Sequence, residues 1–100
     1  MMVYLSLSSL MVMDHILGRM KGVKTADIKA ALTADIAKHS KEGLVLRHVW
    51  HNADDPGETM FIFTTNDLGH ARKFIEMEHS EARKENSNAN LPEMLYLKGV

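Results

Sequence analysis

The sequence predicts one α+β domain over residues 1–100, with a four-stranded antiparallel sheet and two helices on one face. Apolar residues alternate in short runs and recur every three or four residues in two longer segments, in the order β-α-β-β-α-β. A chain of 100 residues seldom holds two hydrophobic cores. With no cysteine and 45% hydrophobic residues, packing rather than disulfides must stabilise the domain.

The first predicted strand covers residues 3–8, where apolar residues alternate with other types: Val3, Leu5, Leu7. This N-terminal run is shorter than a membrane-spanning helix, and neither basic residues before it nor a cleavage site after it indicates a signal peptide. We therefore expect a cytoplasmic protein. Residues 14–24 contain Gly18 and Gly22 without a clear period, which predicts a loop.

The first predicted helix begins at Thr25, a suitable N-cap, and ends before Gly43. Ile28, Leu32 and Ile36 recur at helical spacing and predict its buried stripe. Gly43 is expected to adopt the left-handed conformation that commonly follows a helix.

A hairpin is predicted next, with strands at residues 44–51 and 59–65. Between them, residues 52–58 read Asn-Ala-Asp-Asp-Pro-Gly-Glu, a turn-forming cluster. We interpret the paired carboxylates of this cluster as turn chemistry rather than acid–base machinery.

The second predicted helix is capped by Asn66 or Asp67 and fades by residues 86–90. Its apolar stripe faces the sheet: Leu68, Ala71, Phe74, Ile75, Ala82. Pro92 then introduces a last strand over residues 94–97, at an edge where proline is tolerated.

This order is the ferredoxin-like arrangement, in which two helices cover one face of the sheet. Both hairpin strands nevertheless carry apolar side chains on both faces. Strand two has Leu44, Leu46 and Trp50 against Val45 and Val49, and strand three has Phe61 and Phe63 against Met60 and Ile62. Because an uncovered apolar face is a liability in a monomer, we expect a homodimer joined sheet to sheet, burying about 2,000 Å² or more.

Three segments carry a resemblance to a known family: residues 46–56, 60–63 and 67–74. They resemble the dimeric α+β barrel superfamily, which includes antibiotic-biosynthesis monooxygenase-like, cyclase-like and uncharacterised proteins. The resemblance implies a ferredoxin-like protomer that dimerises through its sheet. It also implies a pocket between sheet and helices that takes small, often aromatic, molecules.

We predict that His48 is a catalytic proton-transfer residue, with Trp50 stacking on an aromatic ligand and Tyr96 orienting it. Arg47 is suited to hold a ligand carboxylate or phenolate. Two alternatives stay open: His48 as a hydrogen-bonded core or interface histidine, and Arg47 as a cross-subunit ion-pair partner.

His79 lies at the edge of the second helix's apolar stripe and is predicted to bind ligand from the helix side. Haem-degrading members of the superfamily bind iron through a helix histidine near a Trp and an Asn, which invites comparison with Trp50 and His79 or His70. The predicted first strand has no Asn. His48 and His51 have the wrong spacing to chelate one ion from a regular strand, so no metal site or cofactor is predicted.

The charge balance, 12 Lys and Arg against 13 Asp and Glu, argues against nucleic acid as a partner. Glycine-rich phosphate loops and serine-nucleophile motifs do not occur in the sequence. Three functions remain: a cofactor-independent monooxygenase or cyclase acting on a small aromatic or polyketide-like molecule, a noncatalytic binding or stress-response module, and a haem-binding protein.

Overall fold

The computed structural model describes residues 13–100, which form a four-stranded antiparallel sheet and three helices. The strands are β1 (Asp14–Lys21), β2 (Val45–Asn52), β3 (Asp55–Thr65) and β4 (Glu93–Leu97), in the sheet order β2-β3-β1-β4. The helices are α1 (Thr25–Ala34), α2 (Ile36–Lys41) and α3 (Leu68–Glu85). This confirms the ferredoxin-like α+β fold, with the first predicted helix divided in two.

Strand β1 occupies a segment for which the sequence predicted a loop, so that prediction was wrong. Gly18 pairs with Phe61, whose ring lies across the space that any side chain at Gly18 would occupy. The glycine therefore marks a close approach in a central strand rather than a turn. Gly22, at φ 82°, does end the strand. The strand predicted at residues 3–8 lies outside the described residues.

The first predicted helix breaks at Asp35, whose backbone (φ −100°, ψ 11°) leaves the helical region. Asp is a weak helix former. As a result Ile36, predicted to be buried, is 50% exposed. Thr25 does not cap α1, because its hydroxyl lies 2.6 Å from the hydroxyl of Thr59 on β3. Gly43 has the predicted left-handed conformation, at φ 78°.

The hairpin turn is tighter than the sequence predicted, because β3 already begins at Asp55. Asn52 pairs with Asp55, and the Asn52 side chain accepts a hydrogen bond from the backbone of Asp54 at 2.9 Å. This Asx turn closes the hairpin with two residues. A β-bulge between Leu46 and His48 interrupts the β2–β3 register.

The bulge decides which residues of β2 face the helices. Leu46 and Val49 pair with Phe63 and Phe61 and pack with the core. The sequence had assigned Leu46 to the face of Trp50, and Val49 to the face of Val45. Both assignments were wrong, because the extra residue at the bulge shifts the alternation.

We call the covered side of the sheet the helix face and the other side the open face. The helix face is formed by Ile16, Gly18, Leu46, Val49, Phe61, Phe63, Met94 and Tyr96. The open face is formed by Leu17, Arg19, Val45, Arg47, His48, Trp50, Glu58, Met60, Ile62, Thr64, Leu95 and Leu97.

Helix α3 agrees with its prediction. The Asp67 carboxylate accepts a hydrogen bond from the backbone N–H of His70 at 3.0 Å, which makes Asp67 the N-cap. Ala71, Phe74 and Ile75 are buried against the helix face. In the part of the chain that the structure describes, no helix has the length and apolar character needed to cross a membrane.

Candidate functional site

A cavity of about 150 Å³ lies between the helix face and the helices α2 and α3. Its apolar wall is formed mainly by Leu44, Phe61, Phe63 and Phe74, and two imidazoles, His39 and His79, also line it. Small-molecule sites combine this kind of apolar wall with a few placed polar groups. The cavity is therefore our candidate binding site.

His39 lies in the last turn of α2, and the hydrogen bonds that end this helix fix its position. The backbone N–H of Leu44 donates to the His39 carbonyl at 2.9 Å, as expected of the motif that a left-handed Gly43 creates. The imidazole lies edge-on to Phe63 and Phe74, with ring centroids 5.4 and 6.3 Å away. Desolvation in this aromatic setting lowers the pKa of His39 below its ordinary 6.5, so the ring is neutral at pH 7.

The two ring nitrogens of His39 differ. Among the described side chains, Nδ1 of His39 is the buried polar atom that has no hydrogen-bond partner. A proton on Nδ1 would be an unsatisfied buried donor, whereas a bare lone pair there is tolerated better. From this hydrogen bonding we assign the neutral ring's proton to Nε2, which makes Nε2 a donor.

His79 projects from α3 toward the same cavity. Partial burial, and secondarily the positive charge of Arg83, lower the pKa of His79, so this ring is also neutral at pH 7. Beside it, the Glu78 carboxylate pairs with the Lys38 ammonium at 2.9 Å, which links α3 to α2 along the cavity wall. The cavity thus carries two uncharged imidazoles beside an ion pair.

Three of the predicted site residues lie together on the open face, across the sheet from this cavity. The rings of His48 and Trp50 are stacked, with centroids 5.0 Å apart and planes inclined by 24°. Arg47 donates from Nε to the Thr64 hydroxyl at 2.9 Å. The structure therefore brings these three together but separates them from His79.

Tyr96, on β4, belongs to the helix face but does not line the cavity. The guanidinium carbon of Arg72 lies 4.6 Å from the centre of the Tyr96 ring, a cation–π contact. Burial, and secondarily the charge of Glu76, raise the pKa of Tyr96. Of the five predicted site residues, His79 alone lines the cavity, and the roles given to all five stay predictions.

No role was predicted for His39, although it lines the cavity with His79 and carries a buried ring nitrogen without a hydrogen-bond partner. One signal pointed to it: His39 lies one turn before Gly43, so the chain reverses there and brings the last helical turn against the next strand. The break at Asp35, which sets the direction of α2, left no recognisable trace in the hydrophobic period.

The open face contains a buried carboxylate of its own. Glu58 is 5% exposed, and its oxygens accept hydrogen bonds from Asn52 and Arg19 at 3.3 Å each. The Asn52 hydrogen bond, followed by the Arg19 contact, lowers the pKa of Glu58, although desolvation opposes this. Lys21 lies 3.8 Å from the same carboxylate. These contacts neutralise Glu58 within the protomer.

Among residues 13–100, no three His, Asp or Glu side chains are grouped so that they could hold a metal ion. His48 pairs with Ile62 and His51 with Thr59, which lie on opposite faces of β3. The two histidines therefore do not converge.

Comparisons with known proteins give a match in structure. No protein-family model and no curated protein matches the chain. A proposed antibiotic biosynthesis monooxygenase from Deinococcus radiodurans superposes with a TM-score of 0.58 at 15% identity, covering 88% of this chain and 93% of that one. Another from Nitrosomonas europaea gives a TM-score of 0.59 at 18% identity, covering 89% and 91%.

A protein from Pseudomonas aeruginosa gives a TM-score of 0.56 at 15% identity, covering 89% of this chain and 95% of that one. Identities this low establish a shared fold and leave function to be argued from the site. The chain thus has the ferredoxin-like α+β fold of these proposed antibiotic biosynthesis monooxygenases, which confirms at the level of fold the resemblance found in its sequence.

Proposed function

We propose that this protein binds a small aromatic molecule in the helix-face cavity and that His39 and His79 contact its polar substituent. The observation that supports this is a cavity with aromatic walls and two neutral imidazoles. A cavity of about 150 Å³ in a protein core is large enough to bind benzene. The favoured ligand is therefore a single ring with one hydrogen-bonding group, such as a phenol.

The two imidazoles suit a phenol because they can play complementary roles at its oxygen. His39 donates from Nε2 to the ligand oxygen, and the neutral His79 accepts its proton as a general base. In a monooxygenase reaction, two hydrogens leave the substrate, one atom of O₂ enters it, and the other atom leaves as water. The names of the neighbouring structures favour this reaction over other chemistry at the same site.

The sequence left two other functions open, a noncatalytic binding or stress-response module and a haem-binding protein. A noncatalytic binding module would use the same cavity without consuming O₂, so it is an outcome of the test. Haem is disfavoured by size, since a cavity suited to one benzene ring does not take a tetrapyrrole.

We also propose that the open face joins two protomers. Large apolar side chains are accessible there, with Trp50 45%, Val45 41% and Leu97 40% exposed. Met60 and Ile62 lie between them on the central strand β3. In this arrangement His48 and Trp50 serve the interface rather than the cavity, one of the two roles the sequence left open for His48.

The test is calorimetric titration of the protein with phenol, together with a variant that removes the cavity imidazole. His39→Phe keeps an aromatic ring beside Phe63 and Phe74 but lacks the Nε2 donor, and we expect it to weaken phenol binding at least tenfold. His51→Phe is the matched control, because His51 is exposed and does not line the cavity.

Equal affinity in the His39→Phe variant and the unsubstituted protein would contradict the proposed site. Oxygen uptake during incubation with a panel of phenols then separates an enzyme from a binding module. Uptake that requires both ligand and His79 supports the monooxygenase. Binding without uptake identifies the noncatalytic module.

A further inference from the structure

A second, larger cavity of about 260 Å³ lies beside the first, between α1 and the helix face. Its own wall is mainly aliphatic and comes from the end of β1, the segment after it, and α1: Met20, Val23, Ile28, Ala31. Leu32, Phe61 and Pro92 line both cavities. The two spaces are therefore neighbours that share part of a wall.

The two cavities differ in chemistry. Asp35, Lys38, His39, Glu78 and His79 all line the first. Among the described residues, Asp27 is the one charged side chain on the wall of the second, and it is exposed. The first space can recognise a polar substituent, whereas the second offers contact to hydrocarbon.

We propose that the two cavities form one divided site for an amphiphilic ligand, an alkyl-substituted phenol or a close analogue. This inference rests on the proposed function. The ring occupies the first cavity with its oxygen at His39 and His79, and the alkyl chain passes the half-buried Leu32 into the second cavity.

The volumes and the walls of the two cavities support such a ligand. One ring fills the first cavity and leaves the larger, aliphatic one empty. A chain that fills this space removes both its own surface and that of the wall from water. Burying one methylene stabilises a complex by about 0.8 kcal/mol, which corresponds to about fourfold in affinity.

The test is calorimetry of the full chain with 4-alkylphenols, from phenol to 4-pentylphenol. We expect the affinity to rise about fourfold per methylene until the second cavity is full. Ala31 is an exposed residue on the wall of that cavity, so Ala31→Phe should narrow the cavity and lower the ratio of the 4-pentylphenol affinity to the phenol affinity toward one. Ala30→Phe is the matched control, because Ala30 is an exposed neighbour on α1 that lines neither cavity.

A second variant acts in the opposite direction. Leu32→Ala removes part of the shared wall, and we expect it to raise the affinity for 4-pentylphenol more than the affinity for phenol. The unfolding midpoint of each variant, followed by circular dichroism, verifies that it is folded.

The outcomes separate this inference from the proposed function. A flat series with phenol still bound, or two phenol molecules bound per chain with no gain from the alkyl group, overturns the divided site and leaves the proposed function standing. A rising series that Ala31→Phe leaves unchanged also overturns it. Absence of binding across the whole series overturns both.

Discussion

The two faces of the sheet show how adjacent residues of the same strands serve different purposes. On the helix face, Ile16, Phe61 and Phe63 are almost fully buried, and the helices enclose a cavity whose imidazoles have lowered pKa values. On the open face, Trp50 and Val45 remain largely accessible within the protomer. One face lines a partly covered candidate site, and the other presents an accessible apolar surface.

The bulge in β2 contributes more to this difference than the composition of the strand does. Alternation alone would place Leu46 beside His48 and Trp50, whereas the structure keeps Leu46 on the helix face and leaves the stacked pair outside. A shift of one residue therefore decides which aromatic side chains can meet a ligand in the cavity.

The largest expected effect comes from breaking the helix face at Gly18. Gly18→Leu forces a side chain into the space that the Phe61 ring occupies, and we expect a loss of more than about 3 kcal/mol in the free energy of unfolding. Urea denaturation measures it. Leu17→Val, one residue away on the open face, should cost less than about 1.5 kcal/mol. Equal losses would contradict the difference between the faces.

A charge on the open face should separate the protomers without disturbing the cavity. Trp50→Glu is expected to raise the dissociation constant of the dimer at least about 30-fold, the effect of losing a hot spot of about 2 kcal/mol. Sedimentation velocity measures this, and phenol affinity should stay unchanged. A monomeric unsubstituted protein, or a dimer that tolerates the substitution, would contradict the proposed interface.

Removing the cavity imidazole should have a smaller effect, of opposite sign. His39→Phe eliminates a buried nitrogen without a partner while keeping the aromatic packing, so we expect the free energy of unfolding to rise by up to about 1 kcal/mol. Greater stability combined with lost binding would mark His39 as a residue retained for function. A clear loss of stability would show that its role is structural.

The smallest expected effect is the pH dependence of stability. Burial lowers the pKa values of His39 and His79 in the folded state, so these rings are harder to protonate there than in the unfolded chain. Their contribution to the free energy of unfolding is therefore fully present above the unfolded pKa of about 6.5. This contribution is lost as the pH falls below 6.5 toward the folded pKa values. Urea midpoints at pH 7.5 and 5 should differ less in His39→Phe than in the unsubstituted protein, and an identical difference would contradict the assignment.

Much of the fold could be predicted from the sequence, because its signals are local. Asp67 as the cap of α3, the left-handed Gly43, and the edge strand after Pro92 each follow from the properties of one or two residues. β1 could not be predicted, since Gly18 gains its meaning only from the ring of Phe61 across the sheet. Sequence alone does not distinguish a glycine that makes room for a ring from one that makes a turn.

The site was harder to predict, because it depends on which way side chains point. His79 could be placed toward the sheet from its helical position. His48 and Trp50 were assigned to a ligand without knowledge of the bulge, and His39 was passed over because the break at Asp35 is not visible in the period. The bulge in β2 and the break at Asp35, neither of which the sequence pattern revealed, determined the last two outcomes.

The most direct test of the account is to follow the imidazole and indole resonances of the protein by NMR during titration with phenol. We predict chemical-shift changes at His39 and His79 that saturate together, with little change at His48 and Trp50 across the sheet. Changes centred on His48 and Trp50 would contradict the assignment of ligand binding to the helix face.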